Sequence, residues 1–160
     1  MGLSKVELLL QQREEAWNKE GWIVPMAVAL EGLTAKAAAW EPEGGANSIW
    51  QTLLHINYYN EDLLYRLRNL PLGTRVNNKV TFGTTGSADD EAGWQSVVAR
   101  THELADGLQE TISSLSDEDL EKPFGGSIIG QELARWQLHD AYHSGQIVLI
   151  RRQLGAWRQL

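Results

Sequence analysis

The segment HDAYHSGQIVLIRR, residues 139–152, combines a helical pattern with two histidines placed four positions apart. Residues at this spacing lie on one face of an α-helix, with Cβ atoms about 5–6 Å apart. Trp136 and Ile147 share that face, so His139 and His143 are predicted to point into the protein. Because buried imidazole nitrogens need partners, the pair indicates either a metal site or two ordinary histidines, which are hydrogen-bonded to neighbours or divided between the core and its rim.

Apolar residues recur at helical spacing in four long segments of the chain. The stripe of the first segment is interrupted at Arg13. Two shorter helical stretches, Met26–Leu33 and Thr34–Trp40, follow the first segment. This pattern predicts an all-α protein, a four-helix bundle formed by residues 1–160 as one domain. The four predicted long helices cover about Leu3–Lys19, Ser48–Leu70, Asp89–Leu115 and Ile129–Leu154.

The second and third predicted helices are separated by about twenty residues, LGTRVNNKVTFGTTGSADDE. Such a segment can extend to about 60 Å, whereas the second helix is about 35 Å long. The two helices can therefore run in the same direction, which gives an up-down-down-up order with a long crossover. Within the crossover a weak signal indicates a short β-hairpin around Asn77–Asn78, and we predict that the later segment PFGGS, residues 123–127, is a loop.

Composition argues against several classes of function. The net charge of −7, without a cluster of basic residues, disfavours nucleic acid as a partner. The chain has no cysteine, which removes disulfides, thiolate metal sites and a protein thiol nucleophile. No apolar run approaches the roughly 18 residues of a membrane span, and the first residues, MGLSKVELLL, lack the apolar core of a signal peptide. We therefore expect a cytoplasmic protein without a membrane or nucleic acid partner.

His55 adds a third histidine to the metal-site hypothesis. It lies beside the apolar stripe of the second predicted helix, about 10 Å from the start of that helix, and His143 lies about 16 Å from the end of the fourth. If these helices are neighbours, three imidazoles without a thiolate would leave an ion with open coordination positions. His102 is predicted to be solvated or peripheral. Asp140 has two interpretations: a carboxylate that orients a ligand imidazole, or a residue in a salt bridge or a polar contact at the rim.

The segments SIWQTLLHINYYNEDLLYRL (48–67) and LHDAYHSGQIVLIRRQLGAW (138–157) resemble helices of the DinB-like superfamily, also called the YfiT-type metal-dependent hydrolase-like family. The second carries a His-x-x-x-His-x-Gly-Gln core. LEGLTAKAAAWEP (30–42) also suits the first connection of that family. The resemblance implies an up-down-down-up bundle, a homodimer, and a divalent ion bound by His55, His139 and His143. Imidazole suits zinc and nickel, which are the ions we expect.

The reaction that the resemblance implies is broad. Similar proteins include enzymes that transfer a low-molecular-weight thiol to an electrophile, thiol-dependent isomerases, and members without known activity. Because this chain has no cysteine, the thiol would be a small-molecule substrate activated by the ion, and activated water is the hydrolytic option. The alternative is a non-catalytic metal-binding or stress-associated protein in which the ion joins two helices.

An enzyme of this kind needs a cleft beside an exchangeable coordination position. We expect the mouth of this cleft near Leu72–Ser87 or Lys122–Ser127. Tyr58, Tyr59 and Tyr142 are candidate walls, although core packing is the expected role of each. The sequence assigns no catalytic acid or base.

Overall fold

The computed structural model describes residues 2–158, which form six α-helices and one two-stranded sheet. This mostly helical architecture agrees with the all-α prediction. The strands β1 (Pro123–Phe124) and β2 (Ser127–Ile128) pair in antiparallel fashion. In chain order the helices are α1 (Lys5–Trp17), α2 (Met26–Leu30), α3 (Ala35–Ala38), α4 (Ile49–Leu67), α5 (Glu91–Ser113) and α6 (Ile129–Gln153).

Capping boxes define the first residues of α1 and α4. The hydroxyl of Ser4 accepts a hydrogen bond from the backbone N–H of Glu7, and the Glu7 carboxylate accepts one from the backbone N–H of Ser4. Ser48 and Gln51 make the same reciprocal pair at the start of α4. Such pairs satisfy backbone donors that the first helical turn leaves free. The cap at Ser48 therefore fixes where α4 begins and how far along it His55 lies.

The core lies between the long helices and consists of two apolar clusters. In one, α4 and α6 pack with α2, α3 and the start of α5 around the buried Trp94. The other joins α1, α4, α5 and α6 around Leu108 and Leu133. Among the described residues, no helix combines the length and apolar character that a bilayer crossing requires.

The predicted hairpin around Asn77–Asn78 is wrong. The structure has a single turn of 3-10 helix there, Val80–Phe82. The Asn77 side chain accepts hydrogen bonds from the backbone N–H groups of Lys79 (2.9 Å) and Val80 (3.3 Å). This local bonding occupies donors that a strand pair would need.

The segment PFGGS, predicted to be a loop, instead contains the turn of the β1–β2 hairpin. Gly125 has a φ of 63°, which a tight two-residue hairpin turn requires and which glycine adopts without strain.

Helix ends also differ from the prediction. The α4 helix ends at Leu67 instead of Leu70, because Asn69 takes a left-handed conformation with a φ of 53°. The α2 helix ends at Leu30 and not at Leu33.

Candidate metal site

His55 on α4 and the pair His139 and His143 on α6 bring three imidazoles together. The Nε2 atom of His139 lies 3.0 Å from His55 Nε2 and 3.0 Å from His143 Nε2. Two nitrogens bound to one zinc ion at about 2.0–2.1 Å are roughly 3.0–3.4 Å apart. The three histidines that the sequence singled out therefore form a cluster that could hold a metal ion.

Thr81 determines which nitrogen of His55 carries the proton. Its Oγ1 lies 2.6 Å from His55 Nδ1, and its hydroxyl donates to the carbonyl of Asn78, also at 2.6 Å. Because a hydroxyl has one proton to donate, Thr81 must accept a hydrogen bond from His55 Nδ1–H. The lone pair of His55 therefore lies on Nε2, which faces the other two histidines.

Gln146 has the same effect on His143. Its side-chain oxygen lies 2.6 Å from His143 Nδ1 and can only accept, so the His143 lone pair also lies on Nε2. Two lone pairs are thus directed at the Nε2 atom of His139, which carries at most one proton. If the three imidazoles were held by hydrogen bonds alone, His139 could donate to only one of the other two, and its contact with the third would set two lone pairs against each other. A shared cation satisfies all three nitrogens, so the donor set fits a metal ion better than a buried histidine cluster.

The surroundings keep the three imidazoles neutral, the form that binds metal. Burial and the neighbouring imidazoles lower the pKa of His55 to about 4. Burial also lowers the pKa of His139 and, together with the repulsion that a protonated His139 would exert, that of His143. Phe82 from the crossover stacks on His55 with ring centroids 4.0 Å apart, which shields that ring from water.

The three histidines line a cleft of about 610 Å³. Asn78 and Phe82 of the crossover contribute to its walls, as expected. The alternative position for the mouth, Lys122–Ser127, lines no part of this cleft, whereas the loop before α4 does. The further wall residues are Pro42, Glu43, Ala46, Asn47, Thr52, Tyr142, Gln146, Leu149, Ile150 and Gln153.

Asp140 forms a buried ion pair, which favours the salt-bridge interpretation. Its Oδ2 lies 2.8 Å from Nη1 of Arg13, and the two side chains are 0% and 1% exposed. The guanidinium carbon of Arg13 lies 4.4 Å from the ring centroid of Trp136 and 5.0 Å from that of Trp17. Arg13, which interrupts the apolar stripe of α1, is therefore a buried cation that joins α1 to α6.

His102 lies apart from the cluster. It is exposed on α5 and makes an edge-to-face contact with Trp17, with ring centroids 5.1 Å apart. The prediction of a peripheral histidine is confirmed. His102 therefore provides a natural control for experiments on the other three histidines.

The family model of the DinB superfamily matches residues 26–147 of this chain. The matched region contains the three clustered histidines, the crossover, the whole of α4 and residues 129–147 of α6. The chain therefore belongs to the DinB superfamily, as its two histidine-bearing segments indicated. No curated protein and no solved structure gave a significant match.

Replacing Thr81 with Val is expected to weaken zinc binding by about 10–100-fold, because it removes the partner that orients His55. The measurement is competition for zinc with a chelator of known affinity. Thr101→Val is the matched control, since the hydroxyl of Thr101 is also buried but donates to Val97 within α5. Equal zinc affinities for the two variants would contradict a role for Thr81 in the site.

Proposed function

We propose that this chain binds one divalent ion, zinc or nickel, through His55, His139 and His143, and acts as a metal-dependent enzyme of the thiol S-transferase or hydrolase type. The observation that carries the proposal is the convergence of three Nε2 atoms beside a cleft of about 610 Å³. A bound ion would lower the pKa of a small thiol or of water. The chain supplies no thiol of its own, since it has no cysteine.

The composition of the cluster supports a site with an exchangeable position. Within residues 2–158, His55, His139 and His143 form a cluster without a fourth His, Cys, Asp or Glu. Structural zinc sites usually have four protein ligands, whereas catalytic sites usually have three and keep one position for substrate or water. Neutral imidazoles also leave the double positive charge of the ion uncompensated. An anionic thiolate or hydroxide is the natural fourth partner for such a site.

The activity is tested with cobalt-substituted protein and with a screen of electrophiles in the presence of several small thiols. We expect small thiols to change the visible spectrum of the cobalt form, because a thiol can occupy the exchangeable position. His55→Ala should abolish this response. A closed tetrahedral spectrum that millimolar thiol leaves unchanged would instead favour the non-catalytic alternative.

We also infer an up-down-down-up order for α1, α4, α5 and α6. Between α4 and α5, and between α1 and α6, a residue with a higher number on one helix contacts a residue with a higher number on the other, as in parallel helices. Between α4 and α6 the order is reversed, as in antiparallel helices. This pattern supports parallel α4 and α5 joined by a crossover along the bundle. The contacts are Asn57 with Val97, Arg68 with Gly107, Leu9 with Gln137, Arg13 with Asp140, His55 with His139 and Asn60 with Trp136.

A homodimer in the cytoplasm, without a nucleic acid or membrane partner, completes the proposal. Exposed apolar side chains on α6 support the dimer: Leu138 is 72% exposed, Tyr142 64% and Leu149 58%. Light scattering at micromolar concentration should give about twice the chain mass of 17.9 kDa. A mass equal to that of one chain would contradict the dimer.

A further inference from the structure

A second groove, about 280 Å³ in volume, shares His139 and Asn78 with the cleft of the candidate metal site. Its walls come mainly from α4 and from the first half of α6. A molecule held in this groove would lie against one of the three clustered histidines. The wall residues used below are Asp62, Leu63, Arg66, Glu132, Arg135 and Trp136.

Arg66 is held in this groove with its donors free. Its side chain is 20% exposed, and its guanidinium carbon lies 3.9 Å from the centroid of the Phe124 ring. The nearest contact with a carboxylate, Nη1 to Oδ2 of Asp62, is 3.6 Å and is too long for a hydrogen bond. No hydrogen bond from the Arg66 guanidinium is found within residues 2–158. The guanidinium is thus positioned by stacking while its N–H groups stay available.

The β1–β2 hairpin shapes the place where this guanidinium lies. A Cβ atom at Gly125 would lie 2.9 Å from Nη2 of Arg66, closer than such atoms approach in proteins. Gly125 also has a φ of 63°, which disfavours any other residue. The hairpin therefore supplies both the ring under Arg66 and the space beside it.

The charged residues that line the groove are two carboxylates, Asp62 and Glu132, and two arginines, Arg66 and Arg135, while Arg75 lies outside it. Arg66 and Arg75 both lie near Asp62, and Arg75 contacts it at 3.2 Å. Arg135 pairs with Glu132 at 2.6 Å. Asp62 is thus shared between Arg66 and the exposed Arg75, and it lies closer to Arg75, so the charge of Arg66 is only partly compensated. A ligand with a single negative charge can supply the partner that Arg66 lacks.

We propose that the groove is a subsite for a small carboxylate-bearing substrate and that Arg66 binds the carboxylate. A guanidinium can donate two parallel hydrogen bonds to a carboxylate, while Leu63 and Trp136 contact the apolar part of the molecule. This assignment rests on the proposed function in one respect: the bound molecule is the substrate with which the activated thiol or water reacts. Binding itself requires no metal ion.

The test uses phenylacetate as the probe and phenylacetamide as its uncharged counterpart, titrated by NMR into metal-free protein. We expect phenylacetate to bind about tenfold more tightly than phenylacetamide to the parent protein, since only the carboxylate can pair with Arg66. Arg66→Gln should remove this preference and leave the weak binding of phenylacetamide unchanged. Arg152→Gln, which replaces an exposed arginine on α6, should keep the preference.

Circular dichroism and zinc content of Arg66→Gln should equal those of the parent, which excludes unfolding as the cause of weaker binding. Equal affinity of phenylacetate for the parent and for Arg66→Gln would overturn the proposal, as would the absence of binding at millimolar phenylacetate. Because the titration is done without metal, these results are independent of whether the three histidines bind an ion. A failure of the proposed metal site can therefore be distinguished from a failure of this subsite.

Discussion

Replacing Arg13 with Met is expected to lower the free energy of unfolding by about 3–5 kcal/mol, because it leaves the carboxylate of Asp140 buried without a counter-charge. The two side chains are 1% and 0% exposed, and their charged atoms lie 2.8 Å apart. Methionine keeps much of the volume between Trp17 and Trp136, so the loss reports mainly on the charge and less on the packing. The measurement is urea-induced unfolding of the metal-free protein.

Two further variants separate the ion pair from other effects of the substitution. Arg152→Met replaces an exposed arginine on the same helix as Asp140 and should change stability by less than about 0.5 kcal/mol. The double variant Arg13→Met with Asp140→Leu should recover most of the loss, because it removes both buried charges. If Arg13→Met alone unfolds like the parent protein, the pair does not stabilise the contact between α1 and α6.

The ion pair also bears on the candidate metal site. Asp140 directly follows His139 and precedes His143 by three residues, so its bond to Arg13 anchors this turn of α6 to α1. The imidazoles of the same turn face α4 and the crossover. The Arg13–Asp140 pair and the histidine cluster therefore hold α6 from two sides.

Replacing His139 with Ala is expected to weaken metal binding by more than about a hundredfold, beyond the 10–100-fold that follows loss of a residue that only orients a ligand. His139 Nε2 is the atom that both of the other imidazoles approach at 3.0 Å. Removing it leaves one nitrogen on α4 and one on α6. His143→Ala and His55→Ala should have effects of similar size, because each removes one of three ligands.

The sequence predicted the long helices and the positions of the three histidines on them, because both depend on local patterns. Helical periodicity places residues 139 and 143 on one face, and the position of His55 follows from where α4 begins. The predicted start of this helix at Ser48 agrees with the structure, since serine is favoured at the N-cap position directly before the first helical residue. The ends of α2 and α4 were less predictable, because they depend on single residues such as Asn69 that adopt left-handed conformations.

Contacts between distant segments were not predictable from these patterns. Arg13 interrupts an apolar stripe, but nothing local identifies Asp140 as its partner, 127 positions away. Thr81 lies in a crossover without periodicity, so its bond to His55 could not be inferred. Gln146 carried a signal that could have been used, since it lies one turn after His143 in the His-x-x-x-His-x-Gly-Gln core.

The hairpin at β1–β2 shows a different limit. A pair of glycines was recognised as a break between helices, and Gly-Gly is also a turn that joins antiparallel strands. The flanking strands have only two residues each, too few for an alternating pattern. Their role in positioning Arg66 became visible only from the structure.

Elemental analysis of the purified protein and four histidine variants tests the central claim most directly. We predict one divalent ion per chain in the parent protein and in His102→Ala, because His102 lies on α5 outside the cluster. His55→Ala, His139→Ala and His143→Ala should each contain almost none. Equal metal content in all four variants, or a metal-free parent protein after purification with added zinc and nickel, would contradict the three-histidine site.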